Sequence, residues 1–109
     1  MDQMTPADTF KYMQEHLNTA AAKGMNAVLQ WEISGEHGGT WALHVEDGAC
    51  KLIEGGVEKP NTLFKLSSED WMAMATGKLN PINAFMSGKL KVEGDQGLAM
   101  KVQSLFPQS

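Results

Sequence analysis

Arginine is absent from this chain, and its nine basic residues, all lysine, form no cluster. Affinity for nucleic-acid backbones comes from clustered positive charge, so nucleic acid is not an expected partner. The one cysteine, Cys50, has no second thiol to pair with, and it falls on an expected strand where a buried, inert thiol is the usual case. No apolar run approaches the roughly 20 residues that span a bilayer. Asp2, Asp8 and Glu15 do not suit a secretory signal, which leaves the cytoplasm as the expected location. Catalytic signatures are missing too. His16, His37 and His44 lack metal-ligand spacing, and there is no G-x-S-x-G elbow and no G-x-x-x-x-G-K-[ST] loop. The expectation is a protein without catalytic residues, metal or cofactor.

What is present is an ordinary globular composition, 42% hydrophobic and 20% charged, in 109 residues. That length suits one domain spanning 1–109, with a single core and no room for another. The charge is uneven. Residues 1–57 hold three lysines and eight acids, a net −5, whereas 58–109 hold six lysines and five acids, a net +1. The second part is therefore the side better suited to a transient membrane contact.

The most informative stretch is 71–106, two methionine-rich helical runs, a short strand and a final amphipathic helix, divided by glycines. Ser67 can cap the first helix, with Asp70 three positions on complementing the dipole. Gly77 ends it. Asn80-Pro81 restarts the chain as cap and first helical residue, and Gly88 closes that very short helix. Residues 89–94 alternate polar and apolar, which predicts a strand with Leu90 and Val92 inward. Asp95 can cap a last helix. Leu98, Val102 and Leu105 at i, i+4, i+7, with Ala99 and Phe106 beside them, give that helix one apolar face, and it stops at Pro107.

Upstream, Thr5-Pro6-Ala7-Asp8 reads as cap, first residue and acidic first turn of a helix ending near Gly24. Residues 27–34 alternate, with Leu29, Trp31 and Ile33 on one face. Trp41, Leu43 and Val45 continue that pattern in a second strand. Asp47-Gly48 is a two-residue hairpin signal, and pairing 46 with 49 sets 45 opposite 50 and 43 opposite 52. Residues 55–61 form a loop by composition, and Thr62 begins a fourth strand with Phe64 and Leu66 inward. The expected fold class is α+β: a five-stranded sheet, an antiparallel meander plus two further strands, with about four helices over one face.

The string GKLNPINAFMSGKLKVEGDQGLAMKVQSL, residues 77–105, resembles the sterol carrier, or non-specific lipid-transfer, family, whose members carry a G-K-[LM]-[ND]-P-x-x-A-F-x-x-G-K-[LM]-K-x-x-G run before a Leu- and Lys-bearing helix. WALHVEDG at 41–48 and Leu66-Ser67 extend the likeness upstream, to roughly residues 25–106. The resemblance implies an apolar tunnel between sheet and helices and a lipid ligand: a fatty acid, a fatty acyl-CoA or a sterol-like molecule. It also implies an alternative role, an accessory domain presenting an isoprenoid or acyl intermediate to a lipid-metabolising partner enzyme, as in quinone synthesis. Many members have Gln after the Asn/Asp-Pro pair; here Ile82 makes the expected site more uniformly apolar. Eukaryotic members often end in a Ser-Lys-Leu-like peroxisomal address, which Pro107-Gln108-Ser109 does not provide.

The residues expected to line the site are Trp31, Ile33, Trp41, Leu43, Met72, Ile82, Phe85, Met86, Leu98, Met100 and Leu105. Met72, Met74, Met86 and Met100 gather in the 71–106 stretch. Methionine repacks around ligands of different shape, although the same residues also serve as ordinary core filling. At about 0.8 kcal/mol per buried CH₂, a chain of fifteen or so methylenes yields on the order of 12 kcal/mol before ordering costs. A ~400 Å³ tunnel left empty would cost of order 10 kcal/mol, comparable with a domain's whole stability. The expectation is a protein that carries lipid or partly collapses when empty, with the last helix as the moving element.

Overall fold

Thr5 starts the first helix by capping it, and the computed structural model describes the chain from that residue to Leu105, residues 5–105. In helix α1 (Pro6–Glu15) the Asp8 N–H donates to Thr5 Oγ1 at 3.4 Å and the Asp8 carboxylate accepts from the Thr5 N–H at 3.0 Å, a complete capping box. The helix stops at Glu15 instead of running on toward Gly24. Asn18 accounts for the break. Its N–H donates to the Leu105 carbonyl at 2.7 Å, and its side chain accepts from the Ala21 N–H, capping a separate turn, α2 (Thr19–Ala22). The described chain thus has five helices, one of them a single turn.

Strands β1 (Asn26–Ser34), β2 (Gly39–Glu46) and β3 (Ala49–Glu54) form the meander. Asp47 (φ +46°) and Gly48 (φ +85°) make the two-residue turn, and the pairs Glu46–Ala49, Val45–Cys50 and Leu43–Leu52 have the register that the Asp-Gly signal requires. Strand β4 (Thr62–Ser67) lies parallel to β1, and β5 (Lys91–Gly94) runs antiparallel to β4. The sheet order is β3-β2-β1-β4-β5.

A parallel β1–β4 pair needs a crossover, and residues 55–61 supply it across the back of the sheet. There Gln30 is buried, and its Oε1 accepts the Val57 N–H at 2.6 Å. Gly56 (φ +80°) passes so close that a Cβ would come within 2.6 Å of Gln30 Oε1 and 2.8 Å of Thr40 Cγ2. Asn61 then binds β1 from both sides, its Oδ1 accepting from the Val28 N–H and its own N–H donating to the Val28 carbonyl, while its carbonyl accepts from the Asp95 N–H at 3.0 Å. The segment that composition marks as a loop is the joint between two strands and the last helix.

Leu29, Trp31, Ile33, Leu43, Val45, Phe64 and Leu66 are buried on the front face. Helices α3 (Ser68–Ala75), α4 (Pro81–Met86) and α5 (Gln96–Leu105) complete the fold, and Ser67, Asn80 and Asp95 accept N–H bonds at their starts as the sequence predicts. Phe106 and Pro107, read as the last apolar contact and the stop of the final helix, and the terminal Gln108-Ser109 lie outside the described residues.

Candidate functional site

The front face of the sheet carries an aromatic assembly. Trp31, only 2% exposed, has Phe64 stacked at 5.0 Å between ring centroids, Phe10 at 5.3 Å and Trp71 at 5.9 Å. Phe10 in turn stacks on Trp71 at 4.9 Å and on Trp41 at 5.1 Å. Such pairs add about 0.5–1.5 kcal/mol each beyond the area they bury. One polar relay runs through the assembly: the Trp71 indole N–H donates to Thr9 Oγ1 at 2.8 Å, and the Thr9 hydroxyl donates to the Pro6 carbonyl at 2.5 Å. This pins α1 to α3 without leaving a buried donor unpaired. Phe10 and Thr9 lie outside the expected lining set; Phe10 belongs to the apolar spacing of α1, and Thr9 had no signal of its own.

Around α4 the packing is different. Ala84 is fully buried, and its carbonyl accepts the N–H groups of Lys89 and Leu90 at 2.9 and 3.0 Å, which turns the chain from α4 toward β5. A small residue at that contact lets the helix lie close against its support. The larger apolar side chains point elsewhere: Ile82 and Phe85 are each 50% exposed and Met86 is 79% exposed, and on α5 Met100 is 73% exposed. Ile82, Phe85 and Met86 follow i, i+3, i+4 spacing, so they share one helical face.

Among the residues expected to line a site, Trp31, Ile33, Leu43, Leu98 and Leu105 are brought together in one buried cluster, with Trp41 and Met72 packed half-buried against it. Ile82, Phe85, Met86 and Met100 stand outside that cluster at the surface.

Where parallel β1 and β4 end, an open groove of about 460 Å³ is lined by Glu32, Ile33, Ser34, Thr40, Leu66, Ser67, Lys65, Lys89 and Lys91 together with Gly39 and Gly88. Thr40, Glu32, Lys65 and Lys91 face one another across four strands, and Lys65 Nζ bonds Glu93 at 3.3 Å. The sequence signal for this row was the polar half of each strand's alternation, but its assembly depends on the β1–β4 pairing.

Burial pushes the Cys50 thiol up to about 11, which keeps it protonated and unreactive. The Asp8 carboxyl is held below its ordinary range, first by the Thr5 backbone N–H and then by the Thr5 hydroxyl. His16 Nδ1 lies 2.8 Å from the Tyr12 carbonyl and His44 Nε2 2.9 Å from Asn26 Oδ1, local contacts that tie each ring to its own surroundings. Among the described residues no three His, Cys, Asp or Glu side chains could hold a metal ion, and no helix is long and apolar enough to cross a membrane.

This architecture, a mixed five-stranded sheet with helices over the face that carries the apolar cluster, is that of the sterol carrier proteins. Residues 10–107 match the SCP-2 sterol transfer family, and the chain belongs to it. The mouse (Mus musculus) hydroxysteroid dehydrogenase-like protein 2 is 36% identical over 102 residues, which cover 93% of this chain and 21% of that protein. The chain thus spans about a fifth of that curated relative's length. The solution structure of sterol carrier protein domain 2 from Helicoverpa armigera superposes with a TM-score of 0.70 at 30% identity, covering 95% of this chain and 91% of that one. The sec-alkylsulfatase Pisa1 from Pseudomonas sp. contains the same fold, with a TM-score of 0.82 at 24% identity over 97% of this chain and 17% of the enzyme. Membership of the family carries lipid binding and transfer as the general function.

Proposed function

We propose that this chain is an intracellular lipid carrier that holds a fatty acid, a fatty acyl-CoA or a flat sterol-like molecule between the sheet and helices α3 to α5, with no covalent chemistry. The observation that carries this reading is the uneven cover of the apolar residues. Among the described residues, four of the five large hydrophobic side chains left exposed, Ile82, Phe85, Met86 and Met100, belong to α4 and α5. In this reading Trp31, Ile33, Trp41 and Leu43 form the floor of the site, Met72, Leu98 and Leu105 its walls, and the four exposed residues a cover that folds over the cargo. Methionine and phenylalanine there adapt to shape and offer no polar handle, so selectivity is broad, each methylene changing affinity by only ~1 to 3 kcal/mol.

Titration with a fluorescent fatty-acyl probe tests the reading. Phe85→Asp and Met86→Glu, at exposed positions, should abolish probe binding while circular dichroism is unchanged; wild-type affinity in both variants would defeat the proposed site. Native against denaturing mass spectrometry of detergent-free protein identifies the cargo class.

A second reading is favoured by the relatives' size. Since matching segments make up only 21% of the mouse relative and 17% of the Pseudomonas enzyme, a chain of this type could present an acyl or isoprenoid intermediate to a lipid-metabolising partner. Stable co-purification with such an enzyme would move the assignment from free carrier to accessory domain.

A further inference from the structure

Between residues 71 and 92 the chain has three lysines, Lys78, Lys89 and Lys91, and no acid, although the whole protein carries thirteen acids and a net charge of −4. This stretch contains α4. Lys78 precedes the helix by three residues, Lys89 comes three residues after it, and both are exposed, as is Lys91. Among the described residues none of these lysines is held in an ion pair; the ion pair of this region joins Lys65 to Glu93. The helix between them displays Ile82, Phe85 and Met86 on one face. Apolar side chains projecting from a short helix, with free ammonium groups before and after it, are the combination that inserts at a bilayer surface: the apolar groups enter the acyl boundary and the lysines stay with the headgroups.

We infer that the α4 surface docks on an anionic lipid bilayer, with Ile82, Phe85 and Met86 inserted and Lys78 and Lys89, which flank the helix, against the headgroup phosphates. In purpose this rests on the carrier reading, since a carrier must meet the membrane that supplies its cargo, but the surface itself is argued from charge and exposure alone. A protein partner fits less well. Protein interfaces draw their strongest contacts from Trp, Tyr and Arg and are depleted in lysine, whereas this face has none of the first three and is bordered by lysines. Lysine near an anionic leaflet adds about fivefold to partitioning for each residue within a Debye length, an attraction that salt weakens.

Co-sedimentation of the full chain with vesicles tests the inference, using phosphatidylcholine alone and an equal mixture of phosphatidylcholine and phosphatidylglycerol. The mixed vesicles should bind the protein and lose it as salt is raised, and pure phosphatidylcholine should bind it far less. Lys78→Glu and Lys89→Glu should each lower partitioning by about fivefold or more. Lys51→Glu, the same charge change at an exposed site on β3, should leave it within about twofold. Phe85→Ser should weaken binding to the mixed vesicles with the folded spectrum intact. An equal loss in Lys51→Glu would overturn the inference, because net charge and not the α4 surface would then be responsible. Failure of the wild type to bind either vesicle would also overturn it and make a protein the occupant of this face. Titration of the acyl probe without vesicles separates the two proposals: probe binding without vesicle binding removes the docking surface and keeps the carrier, and vesicle binding without probe binding does the reverse.

Discussion

Around Trp31 four further aromatic rings are packed, while α4 leaves its phenylalanine half-exposed and its methionine largely in solvent. The two regions use similar residues under different constraints. Phe10, Trp41, Trp71 and Phe64 come from four elements, α1, β2, α3 and β4, and gather about a Trp on a central strand, with Phe10 and Trp31 each meeting three of the other rings. Helix α4 is a six-residue segment whose fully buried side chain is that of Ala84, while Ile82 and Phe85 are half-exposed and Met86 is largely exposed. Core residues of the first kind set stability. Residues of the second kind add little to it and are available for a ligand or a surface.

That contrast can be broken or sharpened by experiment. The largest effect is expected for Phe10→Ala, which removes the ring touching Trp31, Trp41 and Trp71 and should cost about 3–5 kcal/mol in urea denaturation. Phe85→Ala should change stability by less than about 1 kcal/mol. Equal costs would erase the distinction. Next, Cys50 on β3 should react with an aromatic disulfide reagent at pH 8 on the order of 100-fold more slowly than a free thiol. Its raised folded value keeps the thiolate scarce until the pH approaches about 11 or the protein unfolds. Rapid labelling of folded protein would mean that the packed region admits water. Thr9→Val, which strips the Trp71 indole N–H of its acceptor, should destabilise by roughly 1–3 kcal/mol, and Thr9→Ser should recover most of it.

The smallest effect concerns Asp8. Its folded carboxyl titrates below the unfolded one, so its contribution to α1 is complete at neutral pH and is lost as the pH falls through the lowered folded value. Asp8→Asn should therefore slightly flatten the acid limb of the melting-temperature profile, and an unchanged limb would show that the capping box does not bear on α1 at low pH.

Much of the fold could be read locally. The Asp47-Gly48 turn sets its own register, because positive φ at both residues suits the strand twist and the apolar pattern agrees with the pairing that results. Helix starts were legible for the same reason, since Thr5, Ser67, Asn80 and Asp95 act within three residues of themselves. The end of α1 was not legible: the bond from the Asn18 N–H to the Leu105 carbonyl joins opposite ends of the chain. The candidate lining was legible as a set of apolar residues at the right period, but not as a division into buried and exposed members. Met100 and Leu98 both belong to an amphipathic helix, and only the position of α5 against the sheet decides that Leu98 is covered and Met100 open.

By itself the sequence determined the strands and their inward faces, the hairpin register, the helix caps and the run that marks the family, because each depends on alternation or on bonds spanning a few residues. Tertiary structure alone decided the parallel β1–β4 pair, the burial of Gln30 beneath the crossover, the joint at Asn61 and the exposure of α4. These arise from contacts between segments far apart in the chain, where the choice of neighbour depends on which surfaces remain once the local elements have formed.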